Sequence, residues 1–283
     1  MPNIEEIRET QRQMWNKFSS GWKKCDSFTM DWLRPVGEKL LELAVLKDDY
    51  ILLDVATGTG EPGLTAAEKL KHGRVIGTDL AEEMIRIAEE KANERGGTNY
   101  ETRGCEASEL PFANDYFDAI VCRFGIMFFP DTLTGLKELV RVLKPRRRIA
   151  ISAWAHPEKN PWATNIGEIV NSMLQIPAPH PDAPNIFRCS EPGTLTSLLN
   201  QAGLDDVKEI EISGKVTFDT PENYWEFMTN VAAPIIMALA KADEEMREKV
   251  RLAVLKSAMK HVNGGRLTMQ WSSWIASGVK QPH

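Results

Sequence analysis

Between residues 50 and 155 the chain alternates short apolar runs with amphipathic stretches of helical period. That alternation is the pattern of a parallel sheet covered by helices on both faces. The apolar runs predict strands at 50–56 (YILLDVA), 74–79 (RVIGTD), 98–104 (TNYETRG), 117–123 (FDAIVCR) and 149–154 (IAISAW). Helices are expected between them over 62–71, 81–95 and 131–143, the last stopped by Lys144-Pro145.

The flanks carry a different pattern. Residues 3–46 read as helical and aromatic-rich, with Trp15, Phe18 and Trp22 at helical spacing and Phe28 and Trp32 beyond. After a Pro-rich passage (QIPAPHPDAPNIF) a helix is expected from SEPGTLTSLLNQAG. The runs 206–218 and 266–279 alternate polar and apolar residues and read as strands of one sheet. Between them lie helices expected at about 221–230, 231–240 and 243–261. The chain thus divides into an N-terminal helical cap (1–46), an α/β core (47–218 and 265–283) and a helical insertion (219–264).

Composition narrows the class of function. Apolar residues make up 42% and charged residues 26%, the balance of a soluble globular protein rather than a disordered one. A net charge of -6 and a pI near 5.5 give no electrostatic footprint for nucleic acid. The only dense basic run, KPRRR (144–148), reads as a solvated turn entering a strand. Cys25, Cys105, Cys122 and Cys189 are scattered and lack histidine partners, so reduced thiols are expected and a metal is not. The polar, acidic start is not a signal peptide, and VAAPIIMALA is too short to span a bilayer. A cytoplasmic protein without a membrane span is the expectation, as monomer or homodimer.

The first strand runs into LLDVATGTGEPG (52–63), where Gly58, Gly60 and Gly63 spell G-x-G-x-x-G. The spacing alone suits a dinucleotide or any other nucleoside ligand. Asp54, inside the strand end, would repel a pyrophosphate and welcome an ammonium. Glu61 adds negative charge and Pro62 removes an amide where a phosphate would sit, so both weaken a phosphate cradle. Asp79, at the end of the second strand, can accept both hydroxyls of a ribose or cap the following helix. Glu106 beside Ala107 offers a carboxylate and a backbone amide, the pair that reads an adenine edge.

With these residues in register the chain resembles the class I S-adenosylmethionine-dependent methyltransferases, and most of all their ubiquinone/menaquinone biosynthesis branch. The motifs are LLDVATGTG, GTDLAEEMIRIAEEKA, EASELPFANDYFDAIVCRFGIMFFPD and LKELVRVLKP. The resemblance implies a Rossmann-like, doubly wound seven-stranded sheet whose last strand is antiparallel, and S-adenosylmethionine as cofactor. It implies that Asp54, Ala56 and the Thr57, Gly58 and Gly60 backbone hold the methionine end, and Asp79 the ribose. Leu80 and Met84 would flank adenine, Glu106 and Ala107 its edge, and Arg123 the methionine ammonium through its carbonyl. Where the family often has KPGG this chain has KPRR, so the turn there is expected to avoid a glycine-only conformation. An NAD(P)-dependent oxidoreductase would leave Asp54 and Glu106 unexplained; a noncatalytic S-adenosylmethionine-binding protein is the other alternative.

Methyl transfer needs two reactants positioned in line, and a base only if a proton must leave early. His156, just past the fifth strand, is the candidate base; His180 is a weaker one. Asn160-Pro161-Trp162 lies after the wrong strand for a nucleobase-amine signature. Phe124, Met127, Trp154, Trp162 and Trp225 are the candidate acceptor side, so a small apolar or aromatic acceptor is expected, and no nucleic acid. Phe18 and Trp22 are read as a lid over the methionine end. The insertion, together with 161–176, is expected to roof the strand ends with Tyr224, Trp225, Phe227, Met228 and Ile235; a remote buttress or dimer contact is the alternative.

Overall fold

The computed structural model describes residues 3–177 and 183–282; His180 lies outside them. Strands β1 (Ile51–Val55), β2 (Arg74–Asp79), β3 (Tyr100–Gly104), β4 (Phe117–Arg123) and β5 (Leu143–Trp154) run parallel to one another. Strands β6 (Leu204–Phe218), β7 (Val262–Asn263) and β8 (Arg266–Lys280) complete the sheet in the order β3-β2-β1-β4-β5-β8-β6. Strand β8 is antiparallel to both β5 and β6, as expected of the last long strand. The two-residue β7, which pairs only with β8, was not expected. The central strands are buried on both faces, which is why they read as continuous apolar runs. Strand β6, at the edge, alternates instead.

Helices α1 (Ile4–Lys24) and α2 (Asp26–Leu43) precede the sheet, and α3 (Gly63–Lys69), α4 (Glu82–Glu94) and α5 (Thr132–Val142) cross between strands. Helix α6 (Pro161–Met173) follows β5, and α7 (Thr194–Gln201) precedes β6. Both α3 and α7 are shorter than expected. Pro62 closes the start of α3, and Gly193, at φ 80°, starts α7 late. The insertion forms α8 (Pro221–Val231), α9 (Ala233–Ala240) and α10 (Glu244–Ala258) close to the expected positions. Thr220 and Asp243 cap α8 and α10 with their side chains.

The basic run corrects the expectation of a solvated turn. Residues 144–148 are already part of β5, which starts at Leu143 rather than Ile149. Arg146 sits at φ 64°, in the left-handed region the chain was expected to avoid. The bulge carries the neighbouring cations onto carboxylates. Lys144 Nζ is 2.9 Å and Arg147 3.3 Å from Asp118, and Arg148 is 2.6 Å from Asp206. Arg147 also lies over the Tyr50 ring. Paired charges at the strand entry account for Lys144, Arg147 and Arg148, while Arg146 itself stays exposed.

Candidate functional site

The strand order reverses between β1 and β4, and in an open α/β sheet the crevice at that switch point is where ligands bind. Both strands leave the sheet through strained residues: Ala56 has φ 52° and Phe124 φ 59°. Left-handed non-glycine residues cost about 1–2 kcal/mol each and concentrate at functional sites. Gly125 lets the two exits pass, because a Cβ there would meet Ala56 Cβ at 2.4 Å and Cys122 Sγ at 2.9 Å. Gly58 (φ 56°) and Gly60 (φ 103°) shape the turn itself.

Asp54 is fully buried under this turn. Its Oδ2 accepts from Thr57 Oγ1 (2.6 Å) and from the Gly63 amide (2.9 Å). Thr57 Oγ1 is in turn 3.0 Å from the Tyr100 hydroxyl. Oδ1 has no partner. Burial pushes the Asp54 carboxyl up to about 7, against the hydrogen bond from Thr57 and the charge of Arg123. A buried carboxylate oxygen without a donor fits a cationic ligand group and does not fit a phosphate.

Asp79 latches the two loops together. Its Oδ2 accepts from the Gly58 amide (2.9 Å) and its Oδ1 from the Ala81 amide (2.9 Å). It does not cap α4, whose N-cap Ala81 has no side-chain bond. Burial raises its pKa, while these amides oppose the rise. Leu80 is half-buried next to it and Met84 buried. Glu61 keeps its charge close to the turn, where it acts on Asp54, but its oxygens are already engaged. Its Oε1 pairs with Arg95 at 2.7 Å, and its Oε2 accepts from the Thr65 amide and hydroxyl.

Helix α1 closes over the Glu106 side of the crevice. Arg8 Nε stands 3.6 Å from Glu106 Oε2, beside the half-buried Ala107. Asn16 Oδ1 accepts from the Glu83 amide (2.9 Å), supplying the cap that α4 lacks from its own N-cap residue. Trp15 meets Phe128 edge-on at 5.1 Å and tilts against Trp22 at 6.0 Å. Phe18 is buried, and the Trp22 Nε1, also buried, has no partner. Arg8 and Asn16 escaped sequence reading because a polar residue on an amphipathic helix gives no sign of what it will face.

Past the ends of β4 and β5 lies an aromatic cluster. Phe124 stacks on Trp154 at 4.2 Å; Trp162 lies 4.7 Å from Trp154, and Trp32 lies 4.8 Å from Trp162. Trp32, which the sequence marked only as part of an aromatic helical stretch, packs at its centre, and Phe227 joins from α8 at 6.0 Å. Trp225, two positions earlier on α8, lies on another helix face, so Phe227 and not Trp225 meets the cluster. Met127 is also corrected: it is fully buried, with Sδ 3.4 Å from the Trp154 amide, and belongs to the core.

Other candidates have structural surroundings. His156 is half exposed, with Glu158 at 3.8 Å and Glu191 at 3.7 Å as its charged neighbours. Asn160 is fully buried and staples β5 to β8. It donates to the Ala155 and Ser272 carbonyls and accepts from the Ser272 amide and Trp162 Nε1. The four cysteines are free, and burial raises the pKa of each. Among the described residues no group of His, Cys, Asp or Glu could hold a metal ion, and no helix is long and apolar enough to cross a membrane.

Comparison with known proteins completes the picture. The chain is 25% identical to nocamycin O-methyltransferase of Saccharothrix syringae over 91% of its own length and 95% of that protein. It is 36% identical to the demethylmenaquinone methyltransferase of Bacillus velezensis over 43% of this chain, a match spanning 52% of that relative. The solved structure of the YcgJ protein from Bacillus superposes with a TM-score of 0.59 at 20% identity, covering 88% of this chain and all of that one, which shows the shared fold. The model of the ubiE/COQ5 methyltransferase family matches residues 27–173, from α2 through α6 and so across the whole crevice, and the chain belongs to that family.

Proposed function

We propose that the protein transfers the methyl group of S-adenosylmethionine to a small apolar or aromatic acceptor held against Trp32, Trp154 and Trp162. S-adenosylmethionine-dependent methyl transfer is the activity of the family, and S-adenosylmethionine is the cofactor. The acceptor is the finer reading. One observation carries it: the side of the crevice beyond β4 and β5 is built from rings rather than charges. Such a surface favours a flat or apolar partner and excludes water from an in-line displacement. The demethylmenaquinone methyltransferases among its relatives fit the same reading by name.

In this reading the chain's own residues bind and orient. Asp79 accepts the ribose hydroxyls, Glu106 and Ala107 meet the adenine edge, Leu80 and Met84 flank the base, and Asp54 receives the methionine ammonium. The sulfonium supplies the electrophilic methyl when the cofactor is bound. No base is assigned, because the charged neighbours of His156 are glutamates at the surface.

Calorimetric titration tests the cofactor half: S-adenosylhomocysteine should bind and NAD+ should not. Asp79→Ala should weaken that binding about ten- to a hundredfold, the loss of hydrogen bonds to a charged acceptor. Unchanged affinity in a folded variant would overturn the ribose assignment. A panel of quinols, phenols and amines tests the acceptor, and turnover confined to polar amines would overturn the apolar reading.

A further inference from the structure

Arg123 ends β4 directly before the strained exit at Phe124, with its side chain half-buried against α2. A guanidinium presents five donors, and drawing it even partly out of water is costly without an acidic partner. Among the described residues Arg123 forms no ion pair, and its recorded hydrogen bond goes to the thioether of Met30 at 3.5 Å. The charges of three carboxylates act on it, namely Glu61, Asp54 and Asp26. All three are already engaged. Glu61 is held by Arg95 and Thr65, Asp26 by Lys91 at 2.8 Å, and Asp54 Oδ2 by Thr57 and Gly63. What remains at the methionine end of the crevice is an unpaired cation and, on Asp54 Oδ1, an unpaired carboxylate oxygen.

We infer that Arg123, through its guanidinium, binds the carboxylate of the cofactor's amino-acid moiety, opposite the Asp54 oxygen that receives its ammonium. The pair is then a zwitterion clamp: a cation without an ion pair and a carboxylate with one oxygen unpartnered, matched to a ligand that carries both charges. This gives the Arg123 side chain a part separate from its backbone carbonyl. It also makes the α-carboxylate a recognition element that separates S-adenosylmethionine and its demethylated product from nucleosides lacking the amino-acid end. The contact is charge-assisted, and such bonds gain strength as water is partly excluded.

The inference rests on the cofactor reading, and the test keeps the two apart. Calorimetry on the wild-type protein compares S-adenosylhomocysteine with S-adenosyl-3-thiopropylamine, which differs only in lacking the carboxylate. The wild type should bind S-adenosylhomocysteine on the order of ten- to a hundredfold more tightly. In Arg123→Met, an apolar replacement of similar length that leaves no buried charge behind, the ratio should collapse toward one while the thiopropylamine affinity is retained. Equal affinities for the two ligands in the wild type would overturn the clamp without any variant having to fold. A ratio preserved in folded Arg123→Met would overturn it as well. No binding of S-adenosylhomocysteine by the wild type would instead sink the cofactor reading, and the clamp with it.

Discussion

At the residue scale the crevice is a set of polar groups held at unfavourable positions, and Asp54 shows the cost. Its folded-state pKa, about 7, lies above the ordinary aspartate value, so the folded state binds more protons than the unfolded one between the two. The stability associated with protonated Asp54 is present below about pH 4 and lost as pH rises through 7. The ligand-free protein should therefore gain stability from Asp54→Asn at pH 8, on the order of 4 kcal/mol at most, and little at pH 4. Thermal melts of both proteins across that range check it; a difference independent of pH would show Asp54 to be ionised throughout. Arg146 is the second strained position. A left-handed residue costs about 1–2 kcal/mol, and glycine gives back part of that gain through its larger entropy loss on folding. Arg146→Gly should therefore raise stability by up to about 1 kcal/mol, readable as a shift of the denaturant midpoint. A lower midpoint would mean that the arginine side chain contributes more than its backbone costs.

At the scale of elements, α1 is the piece whose role its own sequence least discloses. A capping box between Asn3 and Glu6 starts it, and its aromatic face explains why it folds against the core. Its place comes from contacts at both ends. Asn16 completes α4, Arg8 reaches Glu106, and Gly21 passes so close to α8 that a Cβ would fall 1.9 Å from the Asn230 carbonyl oxygen. Exposed ion pairs such as Lys24–Glu226 add little by comparison. Truncation before Asp26 removes α1 and leaves α2, with Phe28 and Trp32, in the core. The shortened protein should fold, keep its sheet by circular dichroism and bind S-adenosylhomocysteine about tenfold more weakly, since one lid contact to a carboxylate is lost. Undiminished affinity would reduce α1 to packing.

For the whole molecule, the question is whether the insertion belongs to the site or only buttresses it. Its first helix is tied inward. The Tyr224 hydroxyl donates to the Trp162 carbonyl at 2.8 Å, and Phe227 touches Phe28, Trp32 and Phe218. Its last helix is fastened to α6 through Ser257 and Asn165 at 2.6 Å. If Phe227 is part of the acceptor's ceiling, Phe227→Leu should cost about 1–2 kcal/mol of stability. It should also raise the acceptor KM several-fold while leaving S-adenosylhomocysteine affinity unchanged. A variant that loses stability alone would make the insertion a buttress.

Local chemistry was enough to determine the five parallel strands, the turn from Asp54 to Gly63, the acidic ends at Asp79 and Glu106, and the three helices of the insertion. Each depends on a period, a cap or a spacing within a few dozen residues. Other features depend on partners far along the chain, which no local pattern records. The bulge at Arg146 is explained only when Asp118 and Asp206 come alongside, and the engagement of Glu61 only by Arg95. Trp32 becomes the centre of the aromatic cluster because α2 is laid across the ends of β4 and β5. Arg123 reads in sequence as the last residue of a strand. It is left without an ion pair because tertiary packing engages Asp26, Glu61 and Asp54 Oδ2 elsewhere, and only folding makes that a property of the site.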